Sequence, residues 1–303
     1  MLLGLSSSVG ENVRMRIHVL QLAYSDDEPV AERVGRVAGL VRAQEGADLV
    51  VLPELWAPGG FSYRTWAERA EEADGPTVAA ITAAARDAGV VVHAGSIVER
   101  AREGTCGAAL GETGRGLWNT SVLVSPDGGT LATYRKIHRF GFGQGEPTLL
   151  EAGAEVVTAS LPGGVVVGLA TCYDLRFPEL FRALTDAGAT LVTVPAAWPA
   201  ERVEAWRLLG RARAIENQFI MIQCNTAGTH AGVTMGGHSQ IVDATGAVVA
   251  EAGTAEEVLV ADVDLAAVGR WRAAFPVLAD RRLRPGSLRR HLIENSADPT
   301  TRF

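Results

Sequence analysis

Apolar residues follow two spacings along this chain, short continuous runs and runs at helical intervals. Residues 165–171 form a continuous, β-branched apolar run, which is typical of a strand buried on both faces of a covered parallel sheet. From 177 to 184 the apolar positions recur on one helical face, and Pro178 favours a first helical turn. The two patterns predict that a strand gives way to a helix near Cys172.

The same alternation begins near the N-terminus and predicts a βαβ unit, followed by a helix, a strand and a hairpin. Pro126 and the two glycines after Asp127 mark the turn of that hairpin. A glycine-rich loop is predicted over 140–147. The predicted elements of this half are strand 17–23, helix 28–45, strand 47–56, helix 75–88, strand 90–98 and the hairpin strands 118–125 and 130–134.

The second half of the chain repeats the first. Residues 189–198 align with 47–56 without gaps, so that proline matches proline and tryptophan matches tryptophan. Repeats this long are not solenoid repeats. Two sheets with helices on one face each can bury their bare faces together, which predicts an α/β fold, a four-layer αββα sandwich of two pseudo-repeated halves; one doubly wound sheet is the alternative. The predicted elements of this half are strand 165–171, helix 178–187, strand 189–198, helix 205–217, strand 219–225, hairpin 239–250 and a last strand 260–265.

These patterns divide the chain into three segments. Residues 1–14 lack a pattern and are predicted to be a disordered extension or the product of an upstream start. Residues 15–280 are predicted to form a single domain. Residues 281–303 form an arginine-rich tail with little apolar material, which is either a solvated terminus or an arm that lies on another subunit.

The composition describes a globular protein with a large core, because 47% of the 303 residues are hydrophobic and 21% are charged. The formal net charge of −7 argues against a nucleic acid or an anionic membrane as partner and favours a small-molecule substrate. No apolar run approaches the roughly 20 residues of a membrane helix, and the N-terminus lacks the features of a signal peptide. A cytoplasmic protein is therefore predicted.

The three cysteines, Cys106, Cys172 and Cys224, are far apart in sequence. An odd number without close pairs predicts reduced thiols rather than a disulfide framework or a zinc site. Cys106 and Cys224 have no partner groups near them in sequence and are interpreted as structural. Cys172 differs, since a thiol at a strand-to-helix junction can lie beside free backbone N–H groups and the positive end of a helix, which favours the thiolate. A buried, inert cysteine is the alternative.

The repeat also shows where the two halves differ. Glu54 lies at the end of an apolar strand, and Ala196 takes the matching place in the second half. Active-site groups of open α/β sheets collect at the carboxyl ends of strands, and an acid is expensive to bury there unless it is paired or exchanges protons. Lys136 follows the first hairpin. An exposed glutamate and a solvated lysine are the alternatives, but together with the thiol of Cys172 these residues indicate a catalytic site.

The three residues lie in motifs that resemble the Glu-Lys-Cys triad of the nitrilase superfamily of carbon-nitrogen hydrolases. Glu54 lies in Leu-Pro-Glu-Leu-Trp, Lys136 in Tyr-Arg-Lys-Ile-His, and Cys172 in Thr-Cys-Tyr-Asp-Leu-Arg-Phe-Pro-Glu-Leu. The resemblance covers residues 15–280 and implies an αββα sandwich, a homodimer or larger homo-oligomer, and no metal or organic cofactor. Glu146 resembles the second glutamate that many members place in the pocket.

The resemblance also implies hydrolysis of a small aliphatic carboxamide to a carboxylate and ammonia. Glu54 would act as base and Cys172 as nucleophile. Lys136 and the backbone N–H of Tyr173 would stabilise the oxyanion, and a thioester intermediate would then be hydrolysed. In this scheme the amide is the only small-molecule partner that the site requires.

The short glycine-rich loop and the residues after Cys172 look most like the omega-amidase-like branch, which acts on monoamides of small dicarboxylates. Arg176 or a residue near Trp198 would then bind the distant carboxylate. A nitrilase or an N-carbamoyl amino acid amidohydrolase with the same triad is the first alternative. A cysteine protease-like hydrolase with His138 or His238 as base is the second, and a non-catalytic scaffold on this fold is the third.

Overall fold

Residues 14–283 are described by a computed structural model, in which two six-stranded sheets form the centre. The first half contains β1 (Arg14–Gln21), α1 (Val30–Arg42), β2 (Leu49–Val51), α2 (Pro76–Ala88), β3 (Val91–Arg100), β4 (Leu117–Val124) and β5 (Thr130–Arg135). The connection and second half contain α3 (Glu146–Leu149), β6 (Thr158–Ser160), β7 (Val166–Leu169), α4 (Pro178–Asp186), β8 (Leu191–Pro195), α5 (Val203–Asn217) and β9 (Ile220–Cys224). The last part contains β10 (Thr229–His230), β11 (Val233–Thr234), β12 (Gln240–Val242), β13 (Val248–Glu251), β14 (Glu257–Asp264) and α6 (Leu265–Ala274).

Each sheet has three parallel strands at its centre and an antiparallel hairpin on one side. The first sheet has the strand order β14-β1-β2-β3-β4-β5, and the second has the order β13-β12-β9-β8-β7-β6. The parallel strands are β1 to β3 in one sheet and β7 to β9 in the other. The two pseudo-repeated halves predicted from the sequence are therefore two sheets of the same topology.

The remaining edge strand of each sheet comes from the other half of the chain. β6 follows the first hairpin but pairs with β7, and β14 follows the second hairpin but pairs with β1. The pairing of β14 with β1 begins with Asp264 opposite Arg14, so β1 starts one residue before the predicted domain boundary. Because an unpaired edge strand is open to further pairing, each half covers an edge that the other half leaves exposed.

The two sheets pack face to face, with helices on their outer faces. In β2, Leu49 and Val51 belong to a core that also holds Val167 and Leu191 of the second sheet. The intervening Val50 belongs to a separate core that contains side chains of α1 and α2, as the alternation of side chains along a strand requires. Helices α4 and α5 pack against the second sheet. The αββα sandwich is confirmed, and the alternative of one doubly wound sheet is wrong.

Several short elements differ from the sequence prediction. The predicted loop 140–147 ends in the one-turn helix α3, and α6 follows the last strand directly. α6 begins where it does because the Asp264 carboxylate accepts hydrogen bonds from the backbone N–H groups of Ala266 and Ala267, at 3.0 and 3.3 Å. Strands β6, β10 and β11 have only two or three residues, too few for an apolar pattern to reveal.

Residues 1–13 and 284–303 lie outside the described residues, and with them lie nearly all of the predicted extension and most of the predicted tail. The first residue of that tail, Arg281, forms an ion pair with Asp186 at the end of α4, with 2.6 Å between nitrogen and oxygen. Between residues 14 and 283, no helix is long and apolar enough to cross a membrane.

Candidate active site

Glu54 lies just beyond β2, at the end of the first sheet that meets the loop after β8. Its side chain is buried, and its Oε2 accepts a hydrogen bond of 2.9 Å from the backbone N–H of Ala197. The chain turns sharply here, since Leu55 has a φ of 46°. A Cβ at Gly95 would lie 1.9 Å from the carbonyl oxygen of Pro53, so the turn requires glycine on the neighbouring strand. This turn holds the carboxylate against the second half of the chain.

Lys136 directly follows β5, and its side chain is 2% exposed. Its Nζ lies 2.7 Å from Oε1 of Glu54, and 2.8 and 3.1 Å from Oε2 and Oε1 of Glu146. Burial acts against the charged amine, but the charges of Glu146, Glu54 and Cys172 outweigh it and raise the pKa of Lys136 well above its usual value. The amine is therefore a permanent cation between two carboxylates.

Glu146 is the first residue of α3 and is also buried. Its Oε2 accepts a hydrogen bond from the backbone N–H of Phe140, and its own N–H donates back to the Phe140 carbonyl at 3.0 Å. The loop between them is tight, because a Cβ at Gly141 would lie 1.9 Å from the carbonyl oxygen of Gln144. Burial raises the pKa of Glu146, while the charge of Lys136 opposes the rise.

Asn119 of β4 belongs to the same cluster, although it lies in none of the motifs that predict the site. Its Nδ2 donates to Oε1 of Glu54 at 2.8 Å and to Oε1 of Glu146 at 2.7 Å. The backbone N–H of Lys136 donates to the Asn119 carbonyl at 2.9 Å, so the hairpin places the amide beside the amine. The only sequence signal is a run of three polar residues, Asn119 to Ser121, in an otherwise apolar hairpin strand, and surface positions commonly produce such a run.

Cys172 lies in the turn after β7 and has a left-handed backbone φ of 46°, which is strained for a residue other than glycine. The buried carboxylate of Asp174 holds this turn by accepting the backbone N–H of Thr171 at 2.9 Å. The same carboxylate accepts the Tyr134 hydroxyl at 2.7 Å and the His138 backbone N–H at 3.0 Å. Since Tyr134 and His138 flank Lys136 in sequence, Asp174 ties the turn of the thiol to the segment of the amine.

The electrostatic setting of Cys172 differs from the sequence prediction. The thiol was expected to be favoured as thiolate at the start of a helix, but a 3₁₀ turn over Cys172–Arg176 separates it from α4, which begins at Pro178. Burial raises the pKa of the Cys172 thiol well above its usual value, and the Glu54 charge and a hydrogen bond with Glu54 raise it further, against the opposing charge of Lys136. The resting thiol is therefore protonated and lies next to a carboxylate that can take its proton.

A small cleft opens beside this cluster. The predicted substrate-binding residues Tyr173, Arg176 and Trp198 all line it together with Cys172. The Arg176 guanidinium stacks over the Trp198 ring, 4.9 Å from its centre. The other lining residues are Phe61, Phe140, Ala197, Pro199 and Arg202, of which Arg202 is a second cation that the sequence prediction missed.

The two histidines considered as alternative bases have other partners. The His138 ring stacks on Phe177 with 3.7 Å between ring centres, and its Nδ1 lies 2.7 Å from Oδ1 of Asp174. His238 lies 2.8 Å from Glu251 through its Nδ1. Neither histidine lines the cleft.

The cluster thus combines a thiol, two carboxylates and a fixed cation, and acyl transfer through a covalent intermediate needs groups of these kinds. Glu54, Lys136 and Glu146 are joined by direct contacts, and Cys172 interacts with Glu54. In the part of the chain that the structure describes, no three His, Cys, Asp or Glu side chains come together so that they could hold a metal ion.

Comparisons with known proteins agree on one kind of chemistry. A family model described as carbon-nitrogen hydrolase matches residues 16–273. The 2-oxoglutaramate amidase of Paenarthrobacter nicotinovorans is 43% identical over 272 residues, which cover 89% of this chain and 90% of that protein. Omega-amidase NIT2 of Homo sapiens is 32% identical over 278 residues, which cover 88% of this chain and 95% of that protein.

Solved structures of the same superfamily are also similar. Saccharomyces cerevisiae Nit3, a member of branch 10 of the nitrilase superfamily, has a TM-score of 0.77 at 27% identity, with 89% of this chain and 97% of that chain covered. An amidase mutant from Nesterenkonia sp. AN1 has a TM-score of 0.71 at 25% identity, with 88% and 99% covered. In that mutant, acrylamide has added to the active-site cysteine.

Proposed function

Because the chain belongs to the carbon-nitrogen hydrolase family, within the nitrilase superfamily, we propose that it hydrolyses the amide of a small carboxylated monoamide through a thioester on Cys172. Cleavage of an amide C–N bond is the chemistry of the enzyme. The observation that carries the finer proposal is the buried contact of Lys136 with both Glu54 and Glu146, beside a small cleft that Cys172 lines.

In the first step, Glu54 takes the thiol proton while the sulfur of Cys172 attacks the amide carbon. The C–S bond forms as the carbonyl electrons move onto oxygen, which becomes an oxyanion. Lys136 and the backbone N–H of Tyr173 stabilise that charge. Since the resting thiol is protonated, the proton leaves during the attack and no free thiolate accumulates.

In the second step, the oxyanion collapses and the C–N bond breaks. The nitrogen takes the proton from Glu54 and leaves as ammonia, so that an acyl thioester remains on Cys172. Glu54, again ionised, then accepts a proton from water, whose oxygen attacks the thioester carbon. The C–S bond breaks, the sulfur takes the proton back from Glu54, and the carboxylic acid is released. Glu146 keeps Lys136 in place throughout.

The cleft favours a short substrate that ends in a carboxylate. The cleft is small, and bulky side chains, among them Phe61, Phe140 and Trp198, line it. Within residues 14–283 the Arg176 guanidinium pairs with no carboxylate, although it borders the cleft. Among the described residues, Arg202 has one carboxylate within reach, that of the exposed Glu201, at 3.7 Å. Omega-monoamides of short dicarboxylic acids place a carboxylate one chain length from the amide and fit this arrangement. The relatives named as 2-oxoglutaramate amidase and omega-amidase support the same substrate class.

A rate survey tests the proposed substrate class. We expect kcat/KM for the omega-monoamides of four- and five-carbon dicarboxylic acids to exceed that for uncharged amides of the same length by about 10- to 100-fold, the worth of one charge-assisted hydrogen bond. Nitriles and N-carbamoyl amino acids belong in the same survey. A higher rate with either of them, or equal rates for charged and uncharged amides, would contradict the proposal.

Covalent trapping tests the nucleophile. Intact-protein mass spectrometry after rapid acid quenching should detect an acyl adduct with a good amide substrate. The adduct should be absent in Cys172→Ala and present in Cys106→Ala, which removes the exposed thiol and serves as the matched control. An adduct that persists in Cys172→Ala would sink the assignment.

Arg176→Gln tests the distant carboxylate site. We expect KM for the best omega-monoamide to rise about tenfold, because one charged hydrogen bond is lost, and the rate with an uncharged amide of equal length to stay unchanged. The matched variant Arg202→Gln measures how much the second cleft arginine contributes to binding the substrate carboxylate. If both substrates are affected equally in Arg176→Gln, the arginine supports the cleft and does not read the charge.

Three further features stay predictions: a single domain over 15–280, a homodimer or larger homo-oligomer, and a cytoplasmic location. Light scattering of the purified protein tests the second. A mass of two or more chains is expected, and a monomeric mass at micromolar concentration would contradict it.

A further inference from the structure

Asn119 makes two hydrogen bonds that join the two carboxylates of the cluster. It is 3% exposed, and both hydrogens of its Nδ2 are used, one by Oε1 of Glu54 and one by Oε1 of Glu146. These are the same two oxygens that Lys136 contacts. Asn119 and Lys136 therefore bridge one pair of oxygens from two sides, one as a neutral donor and the other as a cation.

The orientation of the Asn119 amide follows from its partners. Carboxylates only accept hydrogen bonds when ionised, so the amine end must be the one that meets Glu54 and Glu146. The amide oxygen is then left buried, and it has no hydrogen-bond partner among residues 14–283. A buried acceptor without a partner destabilises a fold. Asn119 thus satisfies the two carboxylates, while its own amide oxygen stays without a hydrogen bond.

This arrangement makes the two oxygens of Glu54 different. Oε1 already accepts from Lys136 at 2.7 Å and from Asn119 at 2.8 Å, which uses both of its lone pairs. Oε2 accepts the backbone N–H of Ala197, at 2.9 Å, and no other nitrogen donor among the described residues. One lone pair of Oε2 remains for a proton.

We infer that Asn119 is a positioning residue that fixes Oε2 of Glu54 as the atom that exchanges protons during amide hydrolysis. The inference rests on the proposed role of Glu54 as base. Asn119 also supplies each Oε1 with a second donor besides Lys136.

The acid side of the pH dependence tests this role. The hydrogen bond from Asn119 acts to lower the pKa of Glu146, and a carboxylate that loses a donor takes up a proton at higher pH. In Asn119→Ala, the acidic limb of kcat/KM should therefore move up by about one pH unit, and kcat at the optimum should fall about 10- to 100-fold. Asn119→Asp, which keeps the shape, should move the limb further because it adds a third carboxyl group.

Thr120→Val is the matched control. Thr120 is the next residue of β4, is equally buried, and donates its hydroxyl to Glu99 and not to the cluster. Its acidic limb should coincide with that of the wild type. A wild-type limb in both Asn119 variants, or an equal shift in Thr120→Val, would overturn the inference.

Iodoacetamide separates this inference from the proposed substrate. The rate at which it alkylates Cys172 depends on removal of the thiol proton and on no amide substrate. If the alkylation profile of Asn119→Ala differs from that of the wild type while the wild type turns over no carboxylated monoamide, the inference stands and the proposed substrate class fails. If amides are turned over and the alkylation profile does not shift, the inference fails alone. Melting temperatures of the variants confirm that each is folded.

Discussion

Lys136→Met is expected to lower amide turnover about a thousandfold and the free energy of unfolding by about 3–5 kcal/mol at pH 8. The turnover falls because the oxyanion loses its cation. The stability falls because Glu54 and Glu146, whose side chains are each 4% exposed, would keep no cation in contact. Removing one partner of a buried ion pair leaves an uncompensated charge, which destabilises the fold more than replacing both partners by neutral residues.

The loss of stability should depend on pH with a defined sign. Burial already raises the pKa of Glu146, and the charge of Lys136 is what opposes the rise, so removal of Lys136 raises this pKa further. A group whose pKa is raised in the folded state adds stability below its unfolded pKa, and that stability is lost as pH rises through the folded pKa. Lys136→Met should therefore be least stable in alkaline solution and regain stability as the solution is acidified. Urea titrations at pH 8 and pH 5.5 measure the difference.

Two controls separate charge from shape. The triple variant Glu54→Gln, Lys136→Met, Glu146→Gln removes both carboxylate charges and should recover most of the stability, with no activity. Lys136→Arg keeps the charge but should stay inactive, since a planar guanidinium cannot replace a compact ammonium among two carboxylates and an oxyanion. If Lys136→Met unfolds like the wild type at both pH values, the amine does not hold the carboxylates.

The residue type of Lys136 is itself a signal that its neighbours in sequence do not carry. It is the only lysine among 28 basic residues of the chain, and all the others are arginine. A lysine after a hairpin is usually a solvated charge, and its neighbours in sequence support that interpretation. Its isolation in the composition points the other way, because a chain that uses arginine everywhere else has a lysine only where the ammonium is needed.

The fold was predictable because local sequence patterns indicate its main elements. Continuous apolar runs mark the parallel strands, and the gapless match of 189–198 with 47–56 marks the two halves. The exchange of β6 and β14 between the sheets was not predictable. Periodicity identifies a strand but not its neighbour. The pairing of β14 with β1 spans more than two hundred residues and is decided by packing, and β6 has only three residues, too few for a pattern to reveal.

The candidate site divides in the same way. Glu54, Lys136 and Cys172 lie in motifs, whereas Asn119 lies in none and reaches the cluster only through the register of β4. The prediction that the Cys172 thiolate is favoured was wrong for a related reason. The expected helix terminus is a local feature, but burial and the distance to Glu54 depend on the assembled halves, and they decide the pKa.

Glu54→Gln is expected to lower amide turnover about a thousandfold, within the range that loss of a general base produces, although the thiol itself becomes easier to ionise. The Glu54 charge and its hydrogen bond both raise the pKa of Cys172, so their removal lowers that pKa toward its ordinary value, and burial keeps it from reaching it. Activity and thiol acidity should thus move in opposite directions. Amide turnover and the pH dependence of iodoacetamide alkylation, measured on the same protein, record the two effects.

These opposite changes in amide turnover and thiol acidity distinguish Glu54 from a histidine as the base. If a histidine were the base, Glu54→Gln would ease ionisation of the thiol and leave acylation intact. His138→Ala should keep measurable acylation, because its ring is engaged by Phe177 and Asp174 and does not line the cleft. A result in which His138→Ala stops acylation and Glu54→Gln does not would transfer the role to the histidine. Loss of acylation in Glu54→Gln together with a lowered thiol pKa would identify Glu54 as a carboxylate that keeps the thiol protonated at rest and takes its proton during attack.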